Sequence, residues 1–297
     1  MYTADDMRSR LTESVPLAET SAAGIRAAQY IEFRGAAPDE VSAQGSKTWI
    51  FRSQNVAVLW TDAVAGDVLS REQHDEYVVL LYHDSATIRV NAGSTSAGVA
   101  EPALVVVPPG ASTITPVTDG PVIRLVTTVN DVAATAKNAD IYRERDPNIA
   151  PWQPWPAPPG GYRLRVYPLA ETPITEGRFG RIFRTTNIMV NFLAEESTPR
   201  PPTKLSPHHH NDFEQLSLAV AGDYIHHIRY PWGADSLAWR PDEHMRVGSP
   251  SVAVIPPPAI HTSQGLGSAQ QLIDIFSPPR RDFSGAGWVL NAEDYPA

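Results

Sequence analysis

The sequence predicts an all-β chain of two tandem double-stranded jelly-roll barrels with few short helices. Three observations carry this reading. Short runs rich in Val, Ile, Leu, Thr and Tyr recur between Gly, Pro, Asp and Ser, the pattern of strands and turns. One block of sequence returns later in the chain with its order kept. Prolines number 28 in 297 residues, which disfavours long helices and suits a double-sheet fold with many corners.

The elements follow in order. Residues 1–45 read as an N-terminal arm. Residues 46–130 form a first barrel, with strands expected at 47–52, 56–61, 77–82, 87–91, 103–107 and 122–128. Residues 131–162 are a connection: Ala133, Ala134, Ala136 and Lys137 suit one short helix, and residues 151–161 hold five prolines, two tryptophans and two glycines, an extended strap. Residues 163–297 form a second barrel, with strands at 163–167, 182–192, 214–221, 224–230, 251–255 and 270–276.

The repeat is explicit. Residues 50–58, IFRSQNVAV, return at 182–190 as IFRTTNIMV, with five of nine positions identical. Glu76 before a Tyr-Val-Val-Leu run parallels Glu214 before Gln-Leu-Ser-Leu, and Val107-Pro108-Pro109-Gly110 parallels Ile255-Pro256-Pro257-Pro258. The displacement grows from 132 to 138 to 148 residues, as small insertions in the second copy would produce.

The second copy carries the chemistry. In Pro207-His208-His209-His210-Asn211-Asp212-Phe213-Glu214, the residues His208, His210 and Glu214 share one parity, so an extended chain projects all three from one face, continued by Leu216, Leu218 and Val220. His261 follows a proline turn. A single buried histidine is more often a satisfied core residue than a ligand. Four such donors together suit a first-row metal held by nitrogen and oxygen. His209, of opposite parity, falls outside the set.

These residues are similar to the paired motifs of the cupin superfamily. Its first motif is H-x-H, three or four residues, then E, with a glycine further on; His208, His210, Glu214 and Gly222 match it, the glycine one place late. The second motif is P-x-G, two residues, then H, matched by Pro256 and His261, with Pro258 in the usual place of glycine and Gln264 where asparagine is frequent. The resemblance implies a bicupin with one divalent transition metal per chain, Fe, Mn, Ni, Co or Zn, bound by His208, His210, Glu214 and His261. In the first copy the same displacements set Ser70, Glu72, Glu76 and Thr113 opposite those ligands, a poor donor set for such an ion.

Composition limits the partners. No cysteine is present, so disulfides, thiolate ligands and thiol nucleophiles are excluded. A formal charge of −9 without a lysine and arginine block argues against nucleic acid or an anionic membrane and for a small-molecule substrate. Residues 1–21 contain no signal-like apolar run, so a cytoplasmic protein is expected, as a homodimer or higher homo-oligomer.

Three protein nitrogens and a carboxylate leave coordination positions open, which substrate oxygens or dioxygen would use. The expected activity is a dioxygenase-type oxidoreductase acting on a small oxygen-rich molecule. A non-redox isomerase or epimerase of sugars or sugar acids is the alternative, and a binding protein without turnover the third. Candidate catalytic residues are His226 or His227, only one of which can face the pocket, and Gln264.

Overall fold

The computed structural model describes residues 24–174 and 180–296. The described residues form twenty strands, one short α-helix and a few single 3-10 turns. The part of the arm before residue 24 lies outside the described residues.

In the first repeat the strands are β1 (Gln29–Glu32), β2 (Glu40–Val41), β3 (Lys47–Arg52), β4 (Val56–Ala63), β5 (Leu69–Gln73), β6 (Tyr77–Leu81), β7 (Ile88–Ala92), β8 (Thr95–Val99), β9 (Ala103–Val107), β10 (Gly110–Pro116) and β11 (Gly120–Thr127). The second repeat has β12 (Arg165–Pro168), β13 (Arg181–Arg184), β14 (Met189–Phe192), β15 (Gln215–Ala221), β16 (Tyr224–Arg229), β17 (Glu243–Val247), β18 (Ser251–Ile255), β19 (Ile260–Gly265) and β20 (Gln271–Phe276), followed by α1 (Arg281–Gly285). The expected helix in the connection is two single turns, Asp131–Thr135 and Ala139–Tyr142. No helix among the described residues is long and apolar enough to cross a membrane.

Each barrel is a large sheet facing a small one. The first pairs the seven-stranded sheet β12-β9-β6-β11-β4-β3-β2 with the four-stranded β5-β10-β7-β8; the second pairs the six-stranded β1-β18-β15-β20-β14-β13 with the three-stranded β17-β16-β19. The strands at the two outer edges are exchanged. β1, from the arm, adds to β18 of the second barrel, and β12, which the sequence assigns to the second barrel, adds to β9 of the first.

The largest apolar cluster lies between the repeats. Trp49, Phe51, Val78, Leu80 and Leu125 of the first pack in one cluster with Phe183, Val190, Leu216, Leu218 and Ile275 of the second. Alternate residues of the same strands, such as Ile50 and Val79, fill the inside of the first barrel together with Ile88 and Val90 of the small sheet. Large-sheet strands are therefore buried on both faces, which is why they read as nearly continuous apolar runs. The inside of the second barrel is mixed, with buried Gln215, Ser217, His226, His261 and Asp274 beside small apolar clusters.

A reciprocal pair of carboxylates joins the repeats. Glu76 accepts hydrogen bonds from the Thr186 N–H (3.2 Å), the Thr186 hydroxyl (3.0 Å) and the Tyr295 hydroxyl (2.5 Å). Glu214 accepts from the Gln54 N–H (2.6 Å) and the Tyr142 hydroxyl (2.8 Å). Gln54 and Thr186 occupy the same place in the two IFR-x-x-N copies, so each glutamate reaches into the matching turn of the other repeat.

Candidate metal centre

The centre begins with a cross-strand pair. The backbones of His208 and His261 face each other, the N–H of each donating to the other's carbonyl at 3.0 and 2.7 Å, and their ring centroids are 4.3 Å apart. His210, two residues along, projects from the same face with its centroid 5.1 and 5.2 Å from theirs. All three are buried, and one ring nitrogen from each lies within 4.8 Å of the others. Among the described residues this is the one His, Asp and Glu cluster of that kind.

Backbone carbonyls set the tautomers. Nδ1 of His208 lies 3.0 Å from the Ser206 carbonyl, and Nδ1 of His261 lies 3.1 Å from the Ala259 carbonyl. A carbonyl only accepts, so each Nδ1 carries the proton and each Nε2 keeps its lone pair for the interior. This is the arrangement that a metal-ligating imidazole needs.

Glu214 does not join them. Its carboxylate is held by Gln54 and Tyr142 at the interface between repeats, where burial pushes its pKa up to about 7 against those two hydrogen bonds. The reason is local. Residues 211–214 are bends and loop, and β15 starts only at Gln215, so alternation counted from His210 does not carry through. Leu216 and Leu218 accordingly face the shared core, while Gln215 and Ser217 face the barrel interior.

Gln215 stands in its place. Its Oε1 is 2.8 Å from His210 Nε2 and 3.3 Å from His261 Nε2. The amide orientation is dictated by Asp274: Gln215 Nε2 donates to the Asp274 carboxylate (3.0 Å) and to Ser217 Oγ (2.9 Å), and Ser217 Oγ donates to the same carboxylate (2.9 Å). A carboxylate accepts only, so the amide nitrogen must face it and the amide oxygen must face the histidines. The misplaced glycine was the available signal. Counted from Gln215 with the four-residue spacer, Gly222 falls in step. It sits at φ +84°, where a Cβ would lie 2.9 Å from Gln270 Cγ and 3.1 Å from the Ala269 carbonyl, so the β15–β16 turn requires glycine.

The catalytic candidates separate by face. His226 points inward and is fully buried; Nδ1 contacts Ser263 Oγ at 2.8 Å, and Nε2 has no hydrogen-bond partner among the described residues. Burial, then the neighbouring His261 and His227, push its pKa down to about 3, so this imidazole is neutral. His227 and Gln264 are turned out of the pocket. His227 meets His244, Nδ1 to Nδ1 at 2.8 Å, and Gln264 donates to the Arg200 carbonyl at 3.0 Å. Strand alternation explains both, since inward His226 and Ser263 fix the opposite parity as outward.

His208, Gln215 and His261 form part of the wall of a cavity of about 350 Å³. Leu193, Tyr224 and Leu272 supply apolar and aromatic wall, and Arg200 and Glu196 supply charge. The Arg200 guanidinium is held by the Ser206 hydroxyl and by the Ser263 and Lys204 carbonyls.

Two jelly-roll repeats, one with a histidine cluster inside, define a two-barrel cupin fold. Among solved structures the chain is similar to oxalate decarboxylase from Lactobacillus farciminis, in a formate complex, with a TM-score of 0.56 and 14% identity, covering 84% of this chain and 86% of that one. It is likewise similar to oxalate decarboxylase from Bacillus subtilis, a structure concerned with that enzyme's Mn(II) centres, with a TM-score of 0.55 and 14% identity over 83% and 76% of the two chains. At these identities the likeness is one of fold. No family model and no curated protein matches the chain.

Proposed function

We propose that the chain is a metal-dependent enzyme acting on a small oxygen-rich molecule, with dioxygenase-type oxidoreductase chemistry as the first reading. The observation that carries it is the convergence of three imidazoles, two of them in the wall of a cavity wide enough for a small substrate. His208, His210 and His261 would hold a divalent first-row ion, and Gln215 Oε1 is the fourth donor in reach. Such an ion supplies Lewis acidity toward chelated oxygens and, as iron or manganese, one-electron chemistry.

The chain's own residues do the rest. Carbonyls behind His208 and His261 keep Nε2 available, and Asp274 with Ser217 holds the Gln215 carbonyl inward. All four donors are neutral, so the site keeps the charge of its ion and favours an anionic chelating substrate, such as a hydroxy or keto carboxylate. Arg200 in the same wall adds positive charge for that carboxylate. The oxalate decarboxylases, whose fold this chain shares, act on a small carboxylate, which agrees with that substrate class.

A non-redox isomerase of sugar acids is the second reading, favoured by Glu196, a carboxylate in the cavity wall that could move a proton. Metal analysis joined to oxygen uptake separates the two. Iron or manganese with oxygen consumed on adding hydroxy or keto carboxylates supports the first; zinc with no consumption, and isomerised product, supports the second.

A further inference from the structure

In the first barrel one arginine stands in the place of a metal-type donor and a second in the place of the carboxylate that orients Gln215. Strand pairing fixes the equivalences: Arg71 faces Ser112 as His208 faces His261, and Tyr77 faces Val107 as Gln215 faces Ile255. Arg124 faces Val79 as Asp274 faces Ser217. Gln73, two residues after Arg71, stands for His210. These correct by one residue the alignment that set Ser70, Glu72 and Thr113 opposite the ligands; Ser70 and Glu72 are exposed.

Arg124 is the unusual member. It is 4% exposed, its Nη2 donates to Thr61 Oγ1 at 2.9 Å, and its Nε has no hydrogen-bond partner among the described residues. Burial first and then the neighbouring Arg71 lower the Arg124 pKa to about 10, which still leaves Arg124 charged at neutral pH. Arg71 reaches the Gln73 amide oxygen once that amide is oriented with its nitrogen toward Asn130. Neither arginine forms an ion pair among the described residues. The nearest polar groups are hydroxyls, Tyr77 with Ser112 at 2.9 Å and Thr48 with Thr61 at 2.9 Å, and the one carboxylate whose charge acts on both arginines, Glu40, is not ion-paired with either.

A buried guanidinium with an unmade hydrogen bond and a second cation beside it is costly unless an anion completes the cluster. We infer that the interior of the first barrel binds a small carboxylate between Arg71 and Arg124, with one hydroxyl of the hydrogen-bonded Tyr77–Ser112 pair as a further donor. The planar forks of guanidinium suit a carboxylate. Arg71 and Ser112 also line a surface depression of about 550 Å³, which gives the cluster a side toward solvent. Positive charge at the centre of the second barrel would come from an ion; in the first it is built into the chain.

The test uses the full chain, stripped of metal with a chelator, titrated with acetate and with oxalate at constant ionic strength while the melting temperature is followed. The expected result is a saturable rise that survives His261→Ala and whose midpoint moves about tenfold or more to higher carboxylate in Arg124→Met and in Arg71→Met. Without carboxylate, Arg124→Met should melt no lower than the parent, because it removes an unpaired buried charge. Should Arg124→Met not fold, the half-exposed Arg71→Met decides alone. No saturable rise in the parent chain, or a rise lost in His261→Ala and retained in Arg71→Met, overturns the proposal.

Discussion

At the scale of residues, the centre turns on two neighbours with opposite duties. Gln215 faces the histidines and Glu214 faces the other repeat. Asp274→Ala frees the Gln215 amide to rotate and should weaken metal binding by about 10- to 100-fold, the usual effect of losing a group that orients a ligand, read by competition with a chromophoric chelator. Glu214→Ala should leave metal stoichiometry intact and cost about 1–3 kcal/mol in denaturant unfolding, because the Gln54 N–H and Tyr142 hydroxyl lose a buried acceptor. The three histidines were legible in the sequence because their spacing survives in the structure. The fourth donor was not, since parity counting assumes an unbroken strand and β15 begins one residue after Glu214.

At the scale of elements, the small-sheet strands hidden from the sequence share a cause. β5, β10, β17 and β19 belong to the small sheets, where one face meets solvent and the residues are Ser, Thr, Arg, Glu and Gln. The continuous apolar runs, β6, β9, β15 and β18, were plain. The Glu76 clasp has a pH consequence. Burial raises its pKa above the ordinary 4.5 despite hydrogen bonds from Tyr295 and Thr186. A carboxyl that holds its proton more tightly when folded contributes stability below pH 4.5, and that contribution is lost as pH rises through the higher folded value. Glu76 should therefore favour a lower melting temperature as pH rises above 4.5, and the difference in melting temperature between the parent and Glu76→Gln should change with pH in that sense; a difference constant with pH would remove Glu76 as a contributor.

At the scale of the molecule, the two repeats form one cooperative body. They share a core, exchange edge strands β1 and β12, and clasp each other through Glu76 and Glu214. Calorimetry of the whole chain should show one unfolding transition, and a chain ended at residue 162 should show none, since it loses β12 and exposes the face around Trp49, Phe51 and Val78. Two separate transitions would contradict this. The duplication was visible from IFR-x-x-N alone. The strand exchange was not, because a run buried on both faces does not say which repeat covers each face.

Metal content per chain, measured on the parent and on His261→Ala, Gln215→Ala and Glu214→Ala, bears most directly on the centre in the second barrel. One ion per chain is predicted in the parent and in Glu214→Ala, with the ion lost in His261→Ala and weakly held in Gln215→Ala. A folded Glu214→Ala without metal beside a fully loaded Gln215→Ala, or a parent chain that takes up no ion, would contradict it.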